Sequence, residues 1–599
     1  MTSVPARRRG PLGAAIGLSL EADRRATLVT FVAFGLRPTV LVLVFYLVKV
    51  MVDAAVAHDT GTLTAAVMGT ALASAVAVGS VTYSIEQSVR MIESTAAVAD
   101  RRLMTLIGRL PGVAHLDDPD VRDQIEVLRQ ERVHLSEGGD AVSLILGATL
   151  RAMFTGVILA MIQPVLLLLP LLAVPPLLAT RRAHRRRDEA VGRAAGGARL
   201  ARHLLTVGSS PAASKELRLF GLGSHLRARQ SEAATTADRT VTRTVWRNLV
   251  ATSAASALFA LGYYAALLFV LYRFTRGQVS LGDVILTLGL VTSVSTQLSQ
   301  AVHFFGFLQQ TLAASRRLLW LEEYADRAAH GAGETVPTKH LVNGIRLDGV
   351  GFRYPGSDAR ALEGIDLALP AGSIVAVVGA NGAGKSTLIK LLAGLYRPTS
   401  GRITVDGVDL ATVDADLWHL RTSACFQDFS RLEFSVRHSV GAGSPAHAED
   451  DAHVARAVEQ GGAAELVAGL PKGLATHLGT SFDDGVDLSG GEWQRVALAR
   501  ARMRAAPCLL VLDEPTAAID PLAEDALLTA YVQAARQAVA QSNGITLFAS
   551  HRLSTARLAD LIVVVDQGRI AQLGVHDHLM AEPDGIYRDL YERQSRAYA

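Results

Sequence analysis

The polar and apolar positions of this chain divide it into two parts of different texture. Up to about residue 320, long apolar runs alternate with long polar stretches. Beyond it, short apolar runs alternate with helical periodicity, the texture of an α/β domain. A membrane-crossing helix needs about 20 mostly apolar residues. Such runs cover 26–52 and 63–85, the second rich in Gly, Ala and Ser, which suits close helix packing in lipid. The run from 142 to 179 would be about 57 Å long as one helix, too long for a single crossing. "IQP" at 162–164 supplies a turn, so the run predicts two spans, 142–162 and 164–180. Two more follow at 248–272 and 281–305. The pattern predicts six spans in a transmembrane domain over 1–330 and a separate α/β domain over 338–599.

Basic residues set the orientation. Residues 53–63 hold no Lys or Arg, whereas the stretch between spans two and three holds many, and span four runs into "RRAHRRR" at 181–187. That places the long polar stretches, both termini and the α/β domain in the cytosol, although Arg273 and Arg276 in the 273–280 loop run against the rule. "ARRRGPLGAAIGLSLEADRR" at the start reads as a cytosolic lead-in helix, since its apolar stretch is weak and charges follow at once. The polar stretches extend the spans as helices. Each carries a short turn-flanked helix at its tip, near 115–128 and 210–223, either an ordinary loop helix or a segment that docks on the α/β domain. Arg37, Arg151 and His303 lie in or near spans, where ionisable groups are functional candidates; Arg151 could hold an acidic group, pair with a backbone carbonyl or snorkel. The net charge of +3 calls for no nucleic-acid partner. Cys425 and Cys508, without neighbours at metal-ligand spacing, read as reduced thiols.

The chemistry lies in the second part. "SIVAVVGANGAGKSTLIKLLAGL" is an apolar strand, a glycine turn and an amphipathic helix, and Gly379, Gly384, Lys385 and Ser386 satisfy the phosphate-loop pattern in that context. Backbone N–H groups would cradle phosphates, Lys385 would neutralise the β- and γ-phosphates, and Ser386 would ligate Mg²⁺. "CLLVLDEPT" (508–516) ends an apolar strand on two carboxylates. Asp513 would hold the Mg²⁺ shell and Glu514 would polarise the attacking water; alone, such a pair also caps helices, but after a phosphate loop catalysis is favoured. His551 ends the apolar run in "ITLFASHRLST", placed to touch the γ-phosphate, and Tyr354 in "FRYPG" could stack on adenine or simply pack. "LSGGEWQ" at 488–494 opens a helical segment with Ser489, Gly490 and Gly491, an N-terminus suited to an anion.

This ordered set resembles the ATPase domain of ABC transporters, with Gln427 in "FQD" and Asp520 in "AAID" completing it. With the spans ahead of it, nearly the full length resembles a half-size ABC exporter. "KELRLFGL", "FQDFSRLEFS" and "FDDGVDLSGGEWQ" are similar to bacterial exporters of lantibiotics and other modified peptides. The resemblance implies a multi-domain membrane protein, a six-helix α-helical transmembrane domain followed by an α/β P-loop ABC ATPase domain. It implies ATP and Mg²⁺ as cofactors. ATP would be held by Tyr354, Gly379, Asn381, Gly382, Gly384, Lys385, Ser386 and Thr387, and Mg²⁺ by Ser386, Gln427 and Asp513. Glu514, Gln427 and His551 would be catalytic. Ser489, Gly490, Gly491 and Asp520 would complete the nucleotide site of a second copy, so the half-transporter would act as a dimer.

A homodimer is favoured because each catalytic position carries its competent residue, with a heterodimer as the alternative. The tips near 115–128 and 210–223 would be coupling helices, linked to the nucleotide by Gln427. The resemblance further implies a multi-pass protein of the cytoplasmic membrane, exporting a hydrophobic or modified peptide. Alternatives are a lipid or multidrug exporter or flippase, an ATP-gated channel or a regulator. With no peptidase domain ahead of the spans, leader trimming is not expected. "THLGTSFDDG" lacks a glutamate common in exporters, for which Asp483 or Asp484 is the substitute.

Overall fold

A computed structural model describes residues 10–168, 172, 174–210, 213–330, 333, 335–514, 536–537, 540–549 and 553–598. It divides into two compact units, Met1–Met104 with Val127–Trp320, and Thr105–Glu126 with Leu321–Ala599. The helices before the second domain are α1 (Pro11–Ala22), α2 (Arg24–Val56), α3 (Thr60–Gly108), α4 (Ala114–Asp117), α5 (Pro119–Gln130), α6 (Arg132–Ser136), α7 (Gly138–Ile162), α8 (Val174–Ser209), α9 (Ser214–Leu219), α10 (Gly223–Thr275) and α11 (Leu281–His330).

Among the described residues, α2, α3, α7 and α10 are long and apolar enough to cross a membrane. The break at "IQP" is present: α7 ends at Ile162, Gln163 is extended and Pro164 opens a 3₁₀ turn. The polar stretches do continue the spans, since α3 and α10 run 49 and 53 residues. Of the expected span at 281–305, all residues are helical within α11, whose apolar part among the described residues is Leu281–Leu290. Small residues set the spacing. A Cβ on Gly147 would lie 2.7 Å from the Phe34 carbonyl oxygen, so α7 meets α2 backbone to backbone. The expected tip helix at 115–128 is broken into α4 and α5, because Pro119 cannot continue a helix begun before it.

The second unit holds two sheets. Strands β1 (Gly344–Arg353), β2 (Arg360–Pro370), β4 (Ser400–Val405) and β5 (Val408–Asp409) form an antiparallel sheet in the order β2-β1-β4-β5. Strands β3 (Ile374–Val378), β6 (Thr422–Cys425), β7 (Leu509–Asp513), β8 (Ile545–Ala549), β9 (Leu561–Asp566) and β10 (Arg569–Gly574) form the other, in the order β10-β9-β3-β8-β7-β6. It is parallel except for β10 at its edge. All five residues of β3 are buried. Val375 and Val377 join one core cluster and Ile374, Ala376 and Val378 another, which is why the run is apolar throughout instead of alternating.

Trp418 anchors the first cluster, about 1% exposed, with its indole N–H donating to the Leu392 carbonyl at 3.2 Å. Trp418→Ala should cost ~3–5 kcal/mol from lost burial and the cavity left. A lowered midpoint for unfolding of this unit in the full chain checks it, and an unchanged midpoint would contradict the core placement.

Candidate nucleotide site

The phosphate loop follows from the end of β3. Gly379 has φ +153°, and a Cβ there would lie 2.1 Å from the Val565 carbonyl oxygen, so no side chain fits. Gly382 and Gly384, at φ +79° and +109°, complete a turn that L side chains rarely adopt, with Asn381 exposed just before Gly382. Helix α12 (Lys385–Leu392) starts directly after, leaving its first N–H groups pointed at the loop. Lys385 is buried and folds back, donating to the carbonyls of Gly379 at 2.8 Å and Ala380 at 3.0 Å. Burial lowers its pKa, against the pull of Glu514 and Asp513. Held this way, the ammonium is ready to exchange two carbonyl partners for phosphate oxygens.

Asp513 ends β7 at 5% exposure, and burial pushes its pKa up; a hydrogen bond from Ser386 and the charges of Lys385 and Lys390 oppose that, while Glu514 adds to it. A hydroxyl beside a buried carboxylate is an all-oxygen donor pair, which suits Mg²⁺ and leaves room for phosphate and water ligands. Glu514 leaves the strand in the left-handed region, φ +49°, uncommon for a residue with a side chain. Its backbone is clamped: its N–H donates to the Ala549 carbonyl at 3.0 Å, and its carbonyl accepts from Gln494 Nε2 at 3.1 Å. Its carboxylate accepts from Gln427 Nε2 at 2.8 Å. The structure thus brings together Lys385, Ser386, Asp513, Glu514 and Gln427.

Tyr354 is half-buried, its hydroxyl 3.0 Å from the Thr387 hydroxyl and its ring edge-on to Phe352 and Tyr396. It therefore stands beside the phosphate-loop helix inside an aromatic cluster. Ser489 caps α13 (Gly490–Ala501) through a reciprocal pair: its backbone N–H donates to Glu492 at 2.7 Å, and its hydroxyl accepts from the Glu492 N–H at 3.4 Å. A Cβ on Gly490 would meet nothing within 4 Å, so the helix start is open; Gly491 is half-buried behind it. Asp520 and His551 lie outside the described residues. Asp484 is held by Lys472 at 2.7 Å and His477 at 2.9 Å, and these contacts lower its pKa to about 2.

Two residues escaped sequence reasoning. Gln494 lies inside "LSGGEWQ", and a buried amide five residues into an otherwise apolar helix face was the available signal. Tyr396 hydrogen-bonds Asp117 of α4, and the Val113 N–H donates to the Leu395 carbonyl at 3.0 Å, so the first tip segment packs on this domain. At the second tip, α9, Leu219 and Phe220 are 79% and 65% exposed in the single chain.

A phosphate loop, a strand-end carboxylate pair, a bridging glutamine and an open signature helix on a mostly parallel sheet define the class. Residues 362–517 match the ABC transporter family model. The chain resembles the nisin transport ATP-binding protein NisT of Lactococcus lactis, 30% identical over 315 residues, 53% of this chain and 51% of that protein. It also resembles the ATP-dependent lipid A-core flippase of Chromohalobacter salexigens, 32% identical over 378 residues, 63% of this chain and 62% of that one. The chain therefore spans between half and two thirds of the length of these curated relatives. Its fold matches that of a bacterial Atm1-family ABC exporter with ATP bound, with a TM-score of 0.75 and 23% identity over 95% of this chain and 99% of the other. Residues 362–517 of the second unit thus carry the ABC-transporter ATPase match, in a chain whose fold is that of an ABC exporter.

Lys385→Ala should weaken nucleotide binding about tenfold or more, since a buried charge-assisted contact is lost; unchanged affinity in a nucleotide titration would contradict the loop assignment. Gln494→Leu should slow hydrolysis about tenfold with nucleotide affinity kept, because it frees the Glu514 carbonyl. Equal turnover would show that the clamp is only structural.

Proposed function

We propose that this chain is a half-transporter that hydrolyses Mg-ATP to drive a substrate outward across the bacterial cytoplasmic membrane, working as a dimer. The observation that carries this is the convergence of Lys385, Ser386, Asp513, Glu514 and Gln427 at one sheet edge, in a chain that also holds long apolar helices. Glu514, held by Gln427, orients and polarises the attacking water. Lys385 balances phosphate charge, while Ser386 and Asp513 hold Mg²⁺, which supplies charge neutralisation at the phosphates. His551 and Asp520 complete the assignment by family likeness.

Dimerisation is supported by two exposed features of the single chain. The N-terminus of α13 is open at Gly490, and the α9 tip presents Leu219 and Phe220 to solvent. A second copy would cover both, its ATP lying against Ser489, Gly490 and Gly491. ATP would favour the closed pair through its differential affinity for that state, and hydrolysis would remove the preference. The relatives favour two substrate classes, a peptide as for the nisin transporter and a lipid as for the lipid A-core flippase. We favour a hydrophobic or modified peptide, from the likeness of "KELRLFGL" and "FDDGVDLSGGEWQ".

The test is Mg-ATP hydrolysis by this chain purified alone in lipid. Glu514→Gln should bind ATP but lose at least about 100-fold in turnover, as general-base loss typically costs. Wild-type activity above that blank supports a self-sufficient homodimer. Activity equal to the blank, with ATP bound, would instead require a different partner subunit.

A further inference from the structure

Arg37 stands near the middle of α2 and Arg151 near the middle of α7, both partly buried. The two helices touch at this level, where a Cβ on Gly35 would lie 3.6 Å from Leu150 Cδ1. Arg151 donates through Nη1 to Gln300 Oε1 at 3.2 Å, and its Nε is buried with no hydrogen-bond partner among the described residues. One turn on, Gln297 donates to the hydroxyls of Thr155 and Ser293, both at 3.0 Å, so α7 and α11 share a polar seam. Among the described residues, no carboxylate pairs with either arginine.

The same helices neutralise charge elsewhere. Towards the far end of α2, Lys49 pairs with Asp283 at 2.6 Å, and Asp53 accepts from the Ser280 hydroxyl at 2.9 Å and the Gly282 N–H at 2.8 Å. Charge inside a bilayer is costly, and structural charges there are paired, as these are. Two adjacent like charges at mid-helix, one offering a buried unused donor, fit an anion that arrives from outside the chain. Gln300 and the Gln297 seam fix the Arg151 stem without cancelling its charge.

We infer that Arg37 and Arg151 form an anion subsite in the membrane domain, binding the carboxylate or phosphate of an otherwise apolar substrate. The inference rests on the exporter reading and narrows its substrate to acid-bearing amphiphiles. An acidic oxygen pair matches the fork of Arg151 and is shared with Arg37, while the apolar body lies along the aliphatic spans.

The experiment measures equilibrium binding to the full chain in phosphatidylcholine nanodiscs with two matched probe pairs. One pair is lysophosphatidic acid and lysophosphatidylcholine of the same acyl chain. The other is an apolar peptide with a free C-terminal carboxylate and the same peptide amidated. At least one acidic probe should bind about tenfold tighter than its neutral match, the worth of one charge-assisted contact. The pair that shows the preference identifies the source of the anion. Arg151→Gln should reduce the preference to below about threefold, and Arg151→Lys should retain only part of it, because the charge remains but the bidentate fork is lost. No acid preference in either pair would overturn the inference. So would a preference that survives Arg37→Gln with Arg151→Gln together, in protein that still binds ATP. Hydrolysis is read separately: failure against the Glu514→Gln blank would sink the exporter reading while leaving the binding comparison decisive for the subsite.

Discussion

Everything at the nucleotide site depends on one constraint, that a parallel strand buried on both faces can carry charge only at its end. β3 and β7 flank β8, and Ala549 pairs with Val377 on one side and Asp513 on the other. That register levels the phosphate loop with the carboxylates. Burial then acts on each charge in turn, lowering the pKa of Lys385 and raising that of Asp513. Burial thus disfavours the charged form of each group, and a polyanion with a divalent cation would relieve both.

The local parts of this site were legible in the sequence because their signals are local. A glycine turn between an apolar strand and an amphipathic helix, and a strand ending in two acids, each state their geometry within a dozen or so residues. The "IQP" break and the helical extensions of the spans were legible for the same reason. What escaped depends on contacts distant in sequence. Gln494 reaches the Glu514 carbonyl across 20 positions, and the left-handed turn at Glu514 follows from the clamp at Ala549. Arg151 finds Gln300 across 149 positions, so the sequence left its partner open among several. The first tip segment was expected as one helix; its break at Pro119 and its packing on Leu395 and Tyr396 came only with the fold.

The membrane unit shows the same economy in reverse. Small residues such as Gly147 bring α2 and α7 together without charge, while charges further along α2 are matched. Lys49, Asp53 and Asp283 answer one another. Among the described residues Arg37 and Arg151 have no such opposite charge, and the contrast along α2 is more informative than either arginine alone.

Helix α13 joins two roles that are usually described apart. Its first residue is open to whatever docks there, and its fifth, Gln494, grips the peptide group that carries Glu514. A rigid rod a dozen residues long cannot shift at one end and stay still at the other. In the proposed dimer, pressure on the outward end would therefore reach the Glu514 carboxylate of the same chain as a mechanical strain, so that occupancy of a neighbouring site would become timing for this one.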